Sequence, residues 1–107
     1  MIETVYSFTT EKTKTIEKLV NDDHVMINHI LLPEGQGIPT HPSNSNVCLI
    51  IVKGKMSLSL NEQDTHHYTA GQIVSIPYDI AMTIDNTNKE MLEFFIVKAP
   101  NPSQYQP

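Results

Sequence analysis

Apolar and polar residues alternate in short runs along most of this chain, and the runs are separated by Pro, Gly, Asn and Asp. Met56, Leu58 and Leu60 alternate with Ser57, Ser59 and Asn61, the period-two pattern of a strand with one wet face. His24 to Leu32 reads as a strand stopped at Pro33-Glu34-Gly35, where a missing N–H and a flexible residue turn the chain. Its odd face carries Val25, Ile27, His29 and Leu31; its even face carries His24, Met26, Asn28, Ile30 and Leu32. The pattern alone leaves both inward assignments open. From Asn46 to Val52 the run is nearly continuous in apolar residues, which predicts a strand covered on both faces. Further strands are expected over Thr65–Thr69, Ile73–Ile76, Ala81–Asp85 and Met91–Lys98. Thr15 to Val20 fits a short helical face or the first arm of a hairpin, and the turn Asn21-Asp22-Asp23 makes the hairpin the simpler choice. Val5, Tyr6 and Phe8 suit a short edge strand, and the Pro-rich tail from Pro100 is expected to be extended or disordered.

Some eight short strands with little helical signal predict an all-β sandwich or barrel. Periodicity alone admits a jelly roll, an OB-like barrel or an immunoglobulin-like sandwich. A length of 107 residues suits one domain. With 39% hydrophobic residues and no Trp, its core must be built mainly from Ile, Leu, Val and Met.

Charge and motifs then remove whole function classes. The net charge is −5 and no basic stripe is present, which argues against a nucleic-acid partner. No apolar run approaches the roughly 20 residues of a membrane span, and the first residues lack a secretory pattern, so a cytoplasmic protein is expected. The single Cys48 sits in an apolar run and reads as a buried thiol. Phosphate-loop, hydrolase-elbow and paired-cysteine motifs are absent.

Two segments carry the remaining information. The first runs Gly37-Ile-Pro-Thr-His41-Pro-Ser43-Asn-Ser-Asn-Val47 and on to Gly54; the second runs Gly71 to Pro77-Tyr78-Asp79 and on through Met82 to Asn86. Together they resemble the two motifs of the cupin family, roughly G-x5-H-x-H-x3-E-x6-G and G-x5-P-x-G-x2-H-x3-N. The resemblance covers about residues 25 to 98 and implies a cupin-type jelly roll, the double-stranded β-helix barrel. Residues 1–24 would then be N-terminal strands covering the barrel, and 99–107 a polar, Pro-rich tail.

The frame of the motifs is kept in Gly37, Gly54, Gly71, Pro77 and Asn86, with Asp79 in place of a turn Gly. Asp tolerates the left-handed conformation such a turn asks for. In the family, the four positions occupied here by His41, Ser43, Val47 and Met82 hold one divalent transition metal. Only His41 is a strong donor, and metal sites ask for at least three, so no metal or other cofactor is expected. Were a metal present, His41 would be its first ligand and His29 the second, since one face assignment directs His29 into the barrel. The other reading of His29 is a core histidine bonded to a backbone carbonyl.

The lost donors leave two readings of the barrel: an interior filled by Met and Leu side chains with no ligand, or a metal-independent small-molecule-binding barrel. Its pocket would be lined by His41, Ser43, Val47, Met82, His29, Leu49 and Ile84, and would take a small apolar or mixed-polarity ligand. One alternative is a cupin enzyme, isomerase-, epimerase- or dioxygenase-like, with His41 as base; Tyr78, Asp79 and Asp85 lie near, although strand parity turns Asp85 outward. Another is a structural or regulatory dimerisation domain. The doubly apolar strand from Cys48 to Val52 also predicts a homodimer, which every reading accommodates.

Overall fold

The computed structural model describes residues 1–105. Nine strands follow one another: β1 (Thr15–Asn21), β2 (Met26–Leu32), β3 (Gly37–Pro42), β4 (Val47–Lys53), β5 (Lys55–Leu60), β6 (His66–Thr69), β7 (Ile73–Ile76), β8 (Ala81–Asp85) and β9 (Leu92–Lys98). They form a five-stranded sheet in the order β1-β2-β9-β4-β7 and a four-stranded sheet in the order β3-β8-β5-β6. Every pairing is antiparallel.

The two sheets close on a single apolar core. The larger one contributes Ile30, Leu32, Leu49, Ile51 and Phe94, and the smaller one Met56, Leu58, Met82 and Ile84, all essentially inaccessible to solvent. Period-two alternation puts these residues on one face of each strand. It settles the assignment in β2: Ile30 and Leu32 enter the core, so His29 and Leu31 point out of the barrel.

Turns fall where the sequence places them. Asp79 adopts φ +64° and Gly54 φ +82°. A Cβ on Gly54 would approach the Met91 carbonyl to 2.5 Å, so the turn closes against β9 only with Gly. Asn86 is buried and donates from Nδ2 to the carbonyls of Leu32 and Glu90, while its Oδ1 accepts from the Asn88 amide. One side chain thus joins the β2 end to the β8–β9 turn.

Both ends of the chain differ from expectation. Residues 1–14 form no strand, and the segment lies against the outer face of the larger sheet through Phe8 and Thr9. At the other end, a 3-10 turn spans Pro102–Tyr105. Asn101 is buried there, and its Nδ2 donates to Asn21 and to the Asp22 carbonyl. Side-chain hydrogen bonds across distant segments leave no periodicity, so neither feature was visible as a pattern. Residues 106 and 107 of the tail lie outside the described residues.

Candidate functional site

The residues expected to line a barrel pocket divide into three groups. Val47, Leu49, Met82 and Ile84 are each at most 1% exposed and belong to the core that fills the barrel. Ser43 is equally buried, and its hydroxyl is committed in both directions: it donates to the Pro77 carbonyl at 2.7 Å and accepts from the Ile80 amide at 2.8 Å. It ties the loop after β3 to the turn before β8. His41 is partly exposed on the edge strand β3, opposite Met82, and its Nδ1 donates to the Pro39 carbonyl at 2.9 Å. Near this end, a depression of about 210 Å³ is lined by Leu60, Asn61, Gln63, Pro77 and Ile80.

These four family positions do not fit a divalent transition metal. One histidine, a serine whose oxygen is already bonded twice, and two side chains sunk in an apolar core make no donor set. Among the described residues, no group of three or more His, Cys, Asp or Glu side chains is placed to hold a metal ion.

His29 does not join His41. It stands on the outer face of the larger sheet, in a cross-strand row with Glu17 of β1 and Phe95 of β9, and it is 0% exposed. Its Nδ1 lies 2.7 Å from Glu17 Oε1 and its Nε2 lies 2.7 Å from Glu93 Oε2. Two such contacts take two hydrogens, which the imidazolium form supplies. The ring packs against Phe8 and Phe95, at centroid distances of 4.7 and 4.9 Å, and the two phenyl rings also meet each other edge to face at 5.0 Å, so the three rings form a triangle. Aromatic cover excludes water from the imidazole while both carboxylates keep a partial outlet to solvent. Neither sequence reading of His29 anticipated this arrangement. The available signal was Glu93 interrupting the otherwise apolar run from Leu92 to Val97.

The same array holds the N-terminal segment. The Thr9 amide donates to Glu17 Oε1 at 3.0 Å, so one oxygen accepts from both Thr9 and His29. Further along, Lys14 Nζ donates to the Gly37 carbonyl and fixes the segment to β3. Residues 10–12 then roof a cavity of about 450 Å³. Leu31 and Met91 supply its apolar surface, and Glu11, Lys12, Lys53, Glu90 and Glu93 its charges. Glu93 therefore has one oxygen on His29 and its side chain at the wall of this cleft.

The Thr9 amide, and then the His29 hydrogen bond and charge, hold the Glu17 carboxyl below its ordinary value of 4.5, against the opposing effect of burial. A carboxyl depressed by folding contributes stability that is complete above its unfolded value and is lost as pH falls through the lower folded one. Acidification below about pH 4.5 is therefore expected to free the segment before the barrel unfolds. Amide exchange measures this: Thr9 should lose protection while Leu49 and Phe94 keep theirs. Simultaneous loss at all three would disprove the order.

No family model matches the chain. An uncharacterised protein of Methanocaldococcus jannaschii, MJ0764, is 54% identical over 105 residues, covering 97% of this chain and 90% of the relative. The crystal structure of that RmlC-like cupin family protein, with a double-stranded β-helix fold, superimposes with a TM-score of 0.94 over 97% of this chain and 96% of its own. A cupin superfamily protein from Desulfitobacterium hafniense (12% identity; 89% of this chain and 84% of that one; TM-score 0.75) shares the fold. So does a double-stranded β-helix protein from Klebsiella pneumoniae (16% identity; 90% and 84%; TM-score 0.77). Filled core, antiparallel two-sheet topology and a relative matched over nearly its whole length agree: the chain belongs to the RmlC-like cupin family.

Proposed function

We propose that this cupin is a metal-independent small-ligand-binding module whose site is the cleft outside the barrel, between residues 10–12 and the larger sheet. The observation that carries this is the cavity of about 450 Å³ beside Glu93, whose carboxylate is oriented by a buried histidine. A concave site with apolar surface and a few fixed polar groups is the usual form of a small-molecule site. Leu31 and Met91 suit an apolar portion of the ligand, while Lys53 and Glu93 suit polar substituents of either sign. The barrel interior offers less, because Leu49, Met82 and Ile84 occupy it.

The test is a panel of small zwitterions and mixed-polarity metabolites followed by thermal shift and methyl NMR. Binders are expected to perturb the Leu31 and Met91 methyls and to lose their effect in Thr10→Trp, which plugs the cleft from its exposed roof. Binders that instead shift Met82 and leave Leu31 untouched would place the site in the barrel and refute the reading.

A homodimer is proposed alongside it, carried by the outer face of β4 and β7. Ile73 is 65% exposed and sits in register with Ile50 and Phe95, and Cys48 and Val97 continue the apolar surface in the next row. A second copy would remove this surface from water. Light scattering at micromolar concentration should give twice the chain mass, and Ile73→Glu should halve it; a monomeric wild-type chain would rule the dimer out. Cytoplasmic placement accords with an unpaired Cys48. Among the described residues, no helix is long and apolar enough to cross a membrane.

A further inference from the structure

On the opposite face of the larger sheet from the cleft, at the β9 C-terminal end, the core surface is unexpectedly polar. Lys98 lies in a cross-strand row with Met26 and Val47, and Val47 in turn pairs with Ile76. Residues directly opposite in antiparallel strands share a face, so Lys98 is on the side of the sheet where Val47 and Ile76 are buried. In the next row of that face, Lys18 pairs with Asn28, and Asn28 with Ile96. Asn28 is only 6% exposed, and its Oδ1 has no hydrogen-bond partner. Neither Lys18 nor Lys98 makes an ion pair among the described residues.

We propose that Lys98, Lys18 and Asn28 form a binding site for a small oxyanion that also carries a hydroxyl donor. A buried amide oxygen without a donor, and the partly buried Lys98 ammonium without a counterion, are arrangements that folded chains normally avoid. One ligand answers both. Its negative oxygens take the two ammonium groups as charge-assisted partners, and its hydroxyl donates to Asn28 Oδ1. Burial, and then the charge of Lys18, hold the Lys98 ammonium below its ordinary value, a strain that a bound anion would relieve. Lys18, exposed on the edge strand β1, is free to close over a ligand from outside. A hydroxycarboxylate and a hydroxylated phosphate monoester share this chemistry.

Calorimetry on the full chain at low ionic strength separates the parts, with glycolate against acetate and glycerol 3-phosphate against methyl phosphate as probes. The hydroxylated member of at least one pair is expected to bind saturably and about tenfold tighter than its partner. Lys98→Met should weaken it by about tenfold or more, and Lys18→Met should weaken it by a smaller factor. Asn28→Leu should abolish the preference within the pair without lowering the melting temperature, since it removes an unsatisfied group. Should Lys98→Met fail to fold, Lys98→Gln and the exposed Lys18→Met supply the charge test. Whichever pair responds identifies carboxylate or phosphate as the anion. No saturable binding by either hydroxylated probe, or binding unchanged in both lysine variants, overturns the site. Equal affinity within both pairs, or a lower melting temperature for Asn28→Leu, overturns the role of Asn28.

Discussion

Val47→Glu, which places a carboxylate at the family's metal-ligand position, is expected to unfold the domain rather than to load it with metal. Val47 is 1% exposed and packs in the same cluster as Leu49, Ile76 and Phe94. No metal donor set faces it, because Met82 is apolar and the Ser43 oxygen is already bonded to Pro77 and Ile80; the one cation in register with it is Lys98. A carboxylate there would be desolvated and oversized for its place in the core, and pairing with Lys98 would offset only part of that cost. The loss should be roughly 4–5 kcal/mol, the range reached by buried charges. A domain of this size has roughly 5–15 kcal/mol in total. The loss is a large share of that total. Urea unfolding monitored by circular dichroism measures it. Recovery of the wild-type midpoint on adding Mn²⁺ or Ni²⁺ would show that a usable metal site persists.

The reason for that expectation explains which features the sequence exposes. Strand positions and turn residues are local: Gly54 and Asp79 take their positive φ within a turn, and the alternation Met56-Ser57-Leu58-Ser59 reports one strand's two faces, while the jelly-roll class rested on the spacing of the two motifs. These were legible. The inward face of β2 was not, because His24, Asn28 and His29 spread polarity over both sides, and the partners that decide the matter come from β1 and β9. The expected proximity of His29 to His41 failed for that reason. Leu49 and Ile84 lie inside the barrel, but whether such residues line a cavity or fill it depends on their summed volume against the opposing sheet, which no local pattern reports. In the structure both are at most 1% exposed and belong to one buried apolar cluster. The cleft was invisible for a further reason, since its roof is a segment without periodicity, fixed by a phenyl ring and a single amide.

Replacing His29 by Ala should produce the second large effect, about 3 kcal/mol of lost stability. The substitution removes the cation between two carboxylates and leaves a void beside Phe8 and Phe95. Breaking a buried ion pair from one side typically costs about 3–5 kcal/mol, because the remaining charge is left uncompensated. Here Glu17 and Glu93 retain some contact with water, 27% and 21% of their side chains, which sets the expectation at the lower end. Much of the loss should come from the carboxylates rather than from the imidazole itself. Adding Glu17→Gln and Glu93→Gln to His29→Ala should therefore recover part of it, a non-additivity visible in a mutant cycle. Phe8→Ala separates latch from fold: it should abolish Thr9 amide protection and open the cleft, while leaving the urea midpoint close to wild type, since Phe8 is 49% exposed and lies outside the core. If His29→Ala unfolds within 1 kcal/mol of wild type, the array is a spectator and the N-terminal segment is held by its aromatic contacts alone.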